Sequence, residues 1–132
     1  GTAPFAGVPE LLDELAARRV PMAILSNKPH THTRPMSETL FARWPFVAIE
    51  GYRMEDRRKP DPRTALEIVE AMQLSPTDVA LVGDSDTDMR TAVNAGLLPV
   101  AATWGYRDRD VLVSAGAFHL IDTPQQVLDL LP

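Results

Sequence analysis

Cysteine is absent from this 132-residue chain. That excludes disulfides, thiolate zinc sites, iron–sulfur clusters and thiol nucleophiles together. Long apolar runs are also missing: the longest, residues 20–25, falls far short of the ~20 residues a membrane-spanning helix needs. Residues 1–9 lack the basic start and apolar middle of a signal peptide. Positive charge is outweighed, with 13 Lys and Arg against 18 Asp and Glu for a net charge of −5. A surface built for nucleic acid or anionic membranes carries a basic stripe instead. No glycine-rich phosphate loop or serine nucleophile elbow is present. The chain reads as a soluble, cytoplasmic domain without nucleic-acid or membrane partners.

What is present is ordinary globular composition, 45% hydrophobic and 23% charged, which argues against disorder. The length suits one domain spanning 1–132, with no repeat or linker to divide it. Most of the twelve prolines punctuate element boundaries. Pro9 opens a helix that places Val8, Leu11, Leu12, Leu15 and Ala16 on one face. Residues 20–25 read as a buried strand, 26–32 as a polar loop, 34–44 as a helix and 47–49 as a short strand. Asp61 caps and Pro62 starts a helix carrying Ala65, Ile68, Val69 and Met72. Strand 79–82 leads through loop 83–88 into a helix with Met89, Ala92 and Val93, closed by Gly96. Strands at 98–103 and 118–121 flank a helix at 108–114. Thr123 and Gln126 suit a capping box before a last helix with Val127, Leu128 and Leu131.

Strands alternating with helices predict an α/β fold with a mostly parallel sheet. Ligands in such folds bind beyond the strands' C-terminal ends, where the loops after 25 and after 82 converge. In the second loop Asp84 follows the strand and Asp88 lies one helical turn on, both hard oxygen ligands suited to magnesium. Asp86 reads as an acid favoured by the helix dipole. Ser26 and Asn27 offer a hydroxyl, an amide and backbone N–H groups to phosphoryl oxygens. Lys59, between Arg58 and Pro60, can pair with a phosphate and the acidic cluster. Arg57 and Arg58 read as solvated surface, His30 and His32 as loop residues and His119 as structural. Trp104, Tyr106 and Arg107 follow a strand and can border a ligand cleft.

Leu-Ser-Asn-Lys-Pro at 25–29, Lys-Pro-Asp-Pro at 59–62 and Val-Gly-Asp-Ser-Asp-Thr-Asp at 82–88 together resemble the haloacid dehalogenase superfamily of phosphatases. Phe-Ala-Gly-Val-Pro-Glu-Leu-Leu at 5–12, Thr-Trp-Gly-Tyr at 103–106 and Ala-Gly-Ala-Phe-His-Leu-Ile-Asp at 115–122 bring it closest to the phosphoglycolate phosphatase group. The resemblance implies a Rossmann-like core, phosphate binding by Ser26 and Asn27, and a catalytic, phosphate-binding role for Lys59. It implies Asp84 as a magnesium ligand and Asp88 as the second acidic position, supporting the metal shell or Lys59. It further implies hydrolysis of a small phosphorylated metabolite through an aspartyl-phosphate.

The chain departs from the family pattern at its start. No apolar strand ending in Asp-x-Asp precedes Ser26, and no helical cap follows such a motif. The expectation is therefore an incomplete core lacking its first strand and cap, inactive alone. In the family that strand lies between the Ser26 and Gly83 strands, so the resemblance implies an open slot there. A missing N-terminal segment, a separate fragment or self-association would fill it. The alternative is a noncatalytic binding or assembly module on the same fold.

Overall fold

A computed structural model describes residues 7–29, 42–52, 59–105 and 107–131, with the side chains of 27–29 and 52 excepted. Helix α1 (Val8–Ala17) starts from Gly7, whose φ of 92° is the left-handed conformation glycine permits, and has Pro9 in its first turn. Its apolar stripe buries Leu11 and Leu15, each worth about 1.5–3 kcal/mol. They meet Met22, Trp44, Phe46 and Ile49 in one cluster. Trp44 is fixed there by donating from Nε1 to Asp13 Oδ1 at 2.9 Å.

Strand β1 (Met22–Pro29) pairs in parallel with β2 (Phe46–Tyr52). The expected loop from 26 is thus strand as far as Pro29, although the register slips between Leu25 and Pro29. The apolar run marks only the first part of β1, because hydropathy does not report backbone hydrogen bonding. Most of the helix expected at 34–44, with His30 and His32, lies outside the described residues.

Helix α2 (Arg63–Ala71) turns Ala65, Ile68 and Val69 inward. Asp61 accepts the Arg63 backbone N–H at 2.9 Å, so it satisfies the helix start as expected, while Pro62 precedes the helix instead of opening it. A 3₁₀ turn (Pro76–Asp78) leads to β3 (Ala80–Gly83). Helix α3 (Asp86–Ala95) ends at Gly96, left-handed at φ 75°. It begins inside the expected loop, because Ser85 caps it. Val93 is 53% exposed, whereas Asp88, Met89, Thr91, Ala92 and Ala95 are the buried residues of that helix.

Strand β4 (Leu98–Ala102), helix α4 (Arg109–Ser114) and strand β5 (His119–Ile121) follow. The last expected helix is a 3₁₀ segment (Pro124–Leu130). The reciprocal half of its box is present, Gln126 Oε1 accepting the Thr123 backbone N–H at 3.0 Å. His119 meets Phe118 edge-on. No described helix is long and apolar enough to cross a membrane.

The fold is α/β and every described strand pairing is parallel. The strands form two sheets, β1-β2 and β3-β4-β5. Helix α2 bridges them: Leu25 of β1 and Leu81 of β3 pack against the same cluster of Ala65, Val69, Ala92, Ala95 and Leu97. Between the sheets runs a cleft of about 770 Å³, lined by Ile24 and Leu25 of β1 and Leu81 and Val82 of β3. Its other walls are apolar too, with Leu11 and Leu15 from α1 and Ile68 and Val69 from α2. Lys59 and Asp88 line the same cleft.

Candidate functional site

The cleft is bordered by the middle of β1 and the end of β3. Leu25 and Val82 line the cleft, and the residues that follow them are Ser26 and Gly83. Gly83 ends β3, and the chain passes through Asp84 and Ser85 into α3. Ser85 is a two-way cap. Its Oγ accepts the Asp88 backbone N–H at 3.1 Å and donates to Asp88 Oδ2 at 2.9 Å. That ties the Asp88 side chain back over the helix start.

Gly83 leaves the room Asp88 needs. A Cβ placed at 83 falls 2.4 Å from both Cβ and Oδ2 of Asp88, a distance real side chains do not reach. Into this position comes Lys59, whose Nζ donates to Asp88 Oδ1 at 2.5 Å. The pair is nearly buried, with side-chain exposures of 13% and 12%. Breaking such a pair strands a charge away from water. Lys59 reaches it from a turn whose Lys59–Pro60 peptide is cis, and Asn94 Nδ2 of α3 donates to the Pro60 carbonyl at 3.0 Å.

Asp84 is different. Its carboxylate is half-buried and has no hydrogen bond or ion pair among the described residues. A Cβ placed at Gly105, in the loop after β4, falls 2.5 Å from Asp84 Cβ, so that loop lies directly on it. The donor set suits a hard divalent cation in part. Asp84 is a carboxylate with both oxygens uncommitted, and magnesium is commonly held by one or two carboxylates with water and phosphate completing its shell. Asp88 has one oxygen on Lys59 and the other on Ser85, so as it stands it serves Lys59. Among the described residues no group of three or more His, Asp or Glu side chains could hold a metal.

Asp86 faces outward and carries two arginines. Arg90 NH1 reaches it at 3.1 Å and Arg107 Nε at 3.3 Å. The Arg107 hydrogen bond is the chief reason its carboxyl lies below the ordinary aspartate value. Asp122, beyond β5, is lowered likewise, first by the Thr103 hydroxyl and then by Arg109.

Of the residues singled out in the sequence, Lys59 and Asp88 are thus joined in one ion pair, and Asp84 lies four positions before Asp88, just past the end of β3. Ser26 is half-buried in β1, next to Leu25. Asn27 also lies in β1, but its side chain, like all of Tyr106, lies outside the described residues. Sequence reasoning passed over Ser85 and Gly105. Ser85 carried a signal, the Ser-x-x-acid spacing of a capping box; Gly105 carried none, because its neighbour is distant in sequence.

The haloacid dehalogenase-like hydrolase family model matches residues 1–102. A phosphoglycolate phosphatase of Rhodospirillum rubrum is 32% identical over 122 residues, covering 92% of this chain and 50% of that protein. The phosphoglycolate phosphatase of Escherichia coli is 35% identical over 107 residues, covering 80% and 42%. A crystal structure from Lactobacillus delbrueckii subsp. bulgaricus superposes with a TM-score of 0.86 at 30% identity, covering 96% of this chain and 52% of that one. The chain therefore spans about half the length of these relatives. Parallel strands with a lysine–aspartate pair at their rim agree with that kinship, and the chain belongs to the haloacid dehalogenase-like hydrolase family, phosphoglycolate phosphatase-like in sequence and fold.

Proposed function

We propose that this chain is the C-terminal core portion of a magnesium-dependent phosphatase acting on a small phosphomonoester, with phosphoglycolate the first substrate to try. The observation that carries the reading is the nearly buried Lys59–Asp88 pair lining an apolar cleft, with Asp84 just past β3 and without a hydrogen bond among the described residues. Lys59, held by Asp88, is a fixed positive charge for a phosphate, with little left to reorganise during reaction. Ser26 and Asn27 would donate to phosphoryl oxygens. Asp84 would hold magnesium, with Asp88 adjoining, and the cation when bound neutralises phosphate charge.

The nucleophile comes from outside the 132 residues. The cleft has a strand on either side and apolar helices above and below, which suits one further apolar strand buried on both faces. A carboxylate at that strand's end would form the new bond to phosphorus as the ester oxygen leaves. Water would then attack phosphorus and release the carboxylate. The relatives' additional length is the natural source of such a strand; a neighbouring copy is the other. The site belongs to the cytoplasm in this reading.

The test is to express the chain with and without the in-frame stretch upstream of it. Magnesium-dependent phosphate release from an aryl phosphate and from phosphoglycolate is expected only with that stretch present. Turnover by the chain alone, or none by the longer protein, overturns the reading. A second reading is a noncatalytic binding module, favoured by the apolar cleft itself. It predicts strand capture without hydrolysis in the same experiment.

A further inference from the structure

Of the residues between β4 and α4, Thr103 and Arg107 are each tied to a neighbouring element. Thr103 Oγ1 donates to Asp122 Oδ1 at 2.6 Å, and Arg109 NH1 reaches the same oxygen at 3.1 Å. Arg107 Nε donates to Asp86 Oδ1 at 3.3 Å, on the first turn of α3. Between the ties Gly105 lies on Asp84. A Cβ there falls 2.5 Å from Asp84 Cβ and 2.6 Å from Oδ2. Gly105 is not among the glycines of positive φ. The glycine is needed for space: a side chain at 105 and the present place of the Asp84 carboxylate exclude each other.

We propose that this loop is a strap that fixes the Asp84 carboxylate, with Gly105 as a positioning residue and the Asp86–Arg107 tie as its latch. The proposal rests on the reading of Asp84 as a cation-holding group. A side chain without hydrogen bonds ordinarily samples several staggered rotamers, and Asp84 has no such bond among the described residues. A cation ligand needs one direction, usually set by hydrogen bonds from its neighbours. Those bonds occupy oxygen lone pairs. Contact with a glycine on the Oδ2 side orients the carboxylate without a hydrogen bond to it. The latch gives Asp86 a role beyond the helix end and its pair with Arg90.

The experiment is solution NMR on the labelled protein with its upstream stretch in place, reading the χ1 couplings of Asp84 and the Mn²⁺-induced line broadening centred on it. Wild type is expected to hold Asp84 in a single χ1 rotamer. Gly105→Ala is expected to move or average that rotamer and to weaken Mn²⁺ binding about tenfold. Should that variant not fold, Arg107→Gln tests the latch. Its side chain is 53% exposed, so Tm should hardly change while the Asp84 couplings average, and Arg107→Lys should restore them. An averaged Asp84 in wild type, or couplings unchanged in the folded variants, overturns the proposal. Couplings that respond without any Mn²⁺ broadening at Asp84 in wild type uphold the strap and overturn the cation reading.

Discussion

Lys59 and Asp88, 29 positions apart in sequence, close an ion pair at 2.5 Å with both side chains nearly buried. Asp88 is held from its own side by Ser85 and given room by Gly83. The ammonium is thereby fixed from three elements: the turn before α2, the end of β3 and the first turn of α3. A charge immobilised this way is ready for an anion that arrives already charged.

Removing one partner should be costly. Lys59→Ala leaves Asp88 unpaired in a nearly dry place, and a stability loss of about 3 kcal/mol is expected. Urea unfolding measures it. A double-mutant cycle with Asp88→Ala should show strong coupling, because the second deletion removes a charge already stranded.

Gly83→Ala should destabilise by about 1–3 kcal/mol, as overpacking does. The new methyl meets Asp88, not backbone. The penalty should therefore shrink when Asp88 is also replaced by Gly, and equal penalties in both backgrounds would place the clash elsewhere.

Asp84→Asn should behave oppositely. Its carboxylate has no described partner to lose, so stability should change by no more than about 0.5 kcal/mol. In the longer protein, phosphate release should fall by about a hundredfold or more. Calorimetry and a phosphate-release assay, run side by side, check the two halves.

The Asp122 carboxyl lies below the ordinary aspartate value because the Thr103 hydroxyl, then Arg109, bind its anion; Gln126 touches only its backbone N–H. A pKa lower in the folded state stabilises above the unfolded value and ceases to as pH falls through the folded one. Its contribution is thus complete above about pH 4 and lost below. The acid limb of the stability curve should be flatter in Asp122→Asn, and the carboxyl ¹³C titration should report the low value directly.

Much of this was legible beforehand. The inward faces of α1 and α2 follow from their periodicity, and Asp61, Gly96 and Gln126 sit at helix ends for local reasons that spacing reveals. Asp84 and Asp88 were visible as acids following a strand, and Lys59 as a cation before a helix start. Other features were not. β1 continues through Ser26 because β2 supplies hydrogen bonds that hydropathy does not encode. Val93 faces solvent because α3 packs through Met89, Ala92 and Ala95, a rotation one apolar position cannot fix. The last helix tightens to 3₁₀ over Pro124–Leu130, and a capping box alone cannot choose between helix types.

The sequence by itself determined the parallel α/β plan, the helix ends and the residues fit for phosphate chemistry, because propensity, periodicity and capping act over a few neighbouring positions. Only the tertiary structure decided that Asp88 takes Lys59, that Asp84 lies against Gly105 with no hydrogen bond among the described residues, and that an apolar cleft separates β1 from β3. Those outcomes depend on distances between segments far apart in the chain, which packing sets and local spacing does not contain.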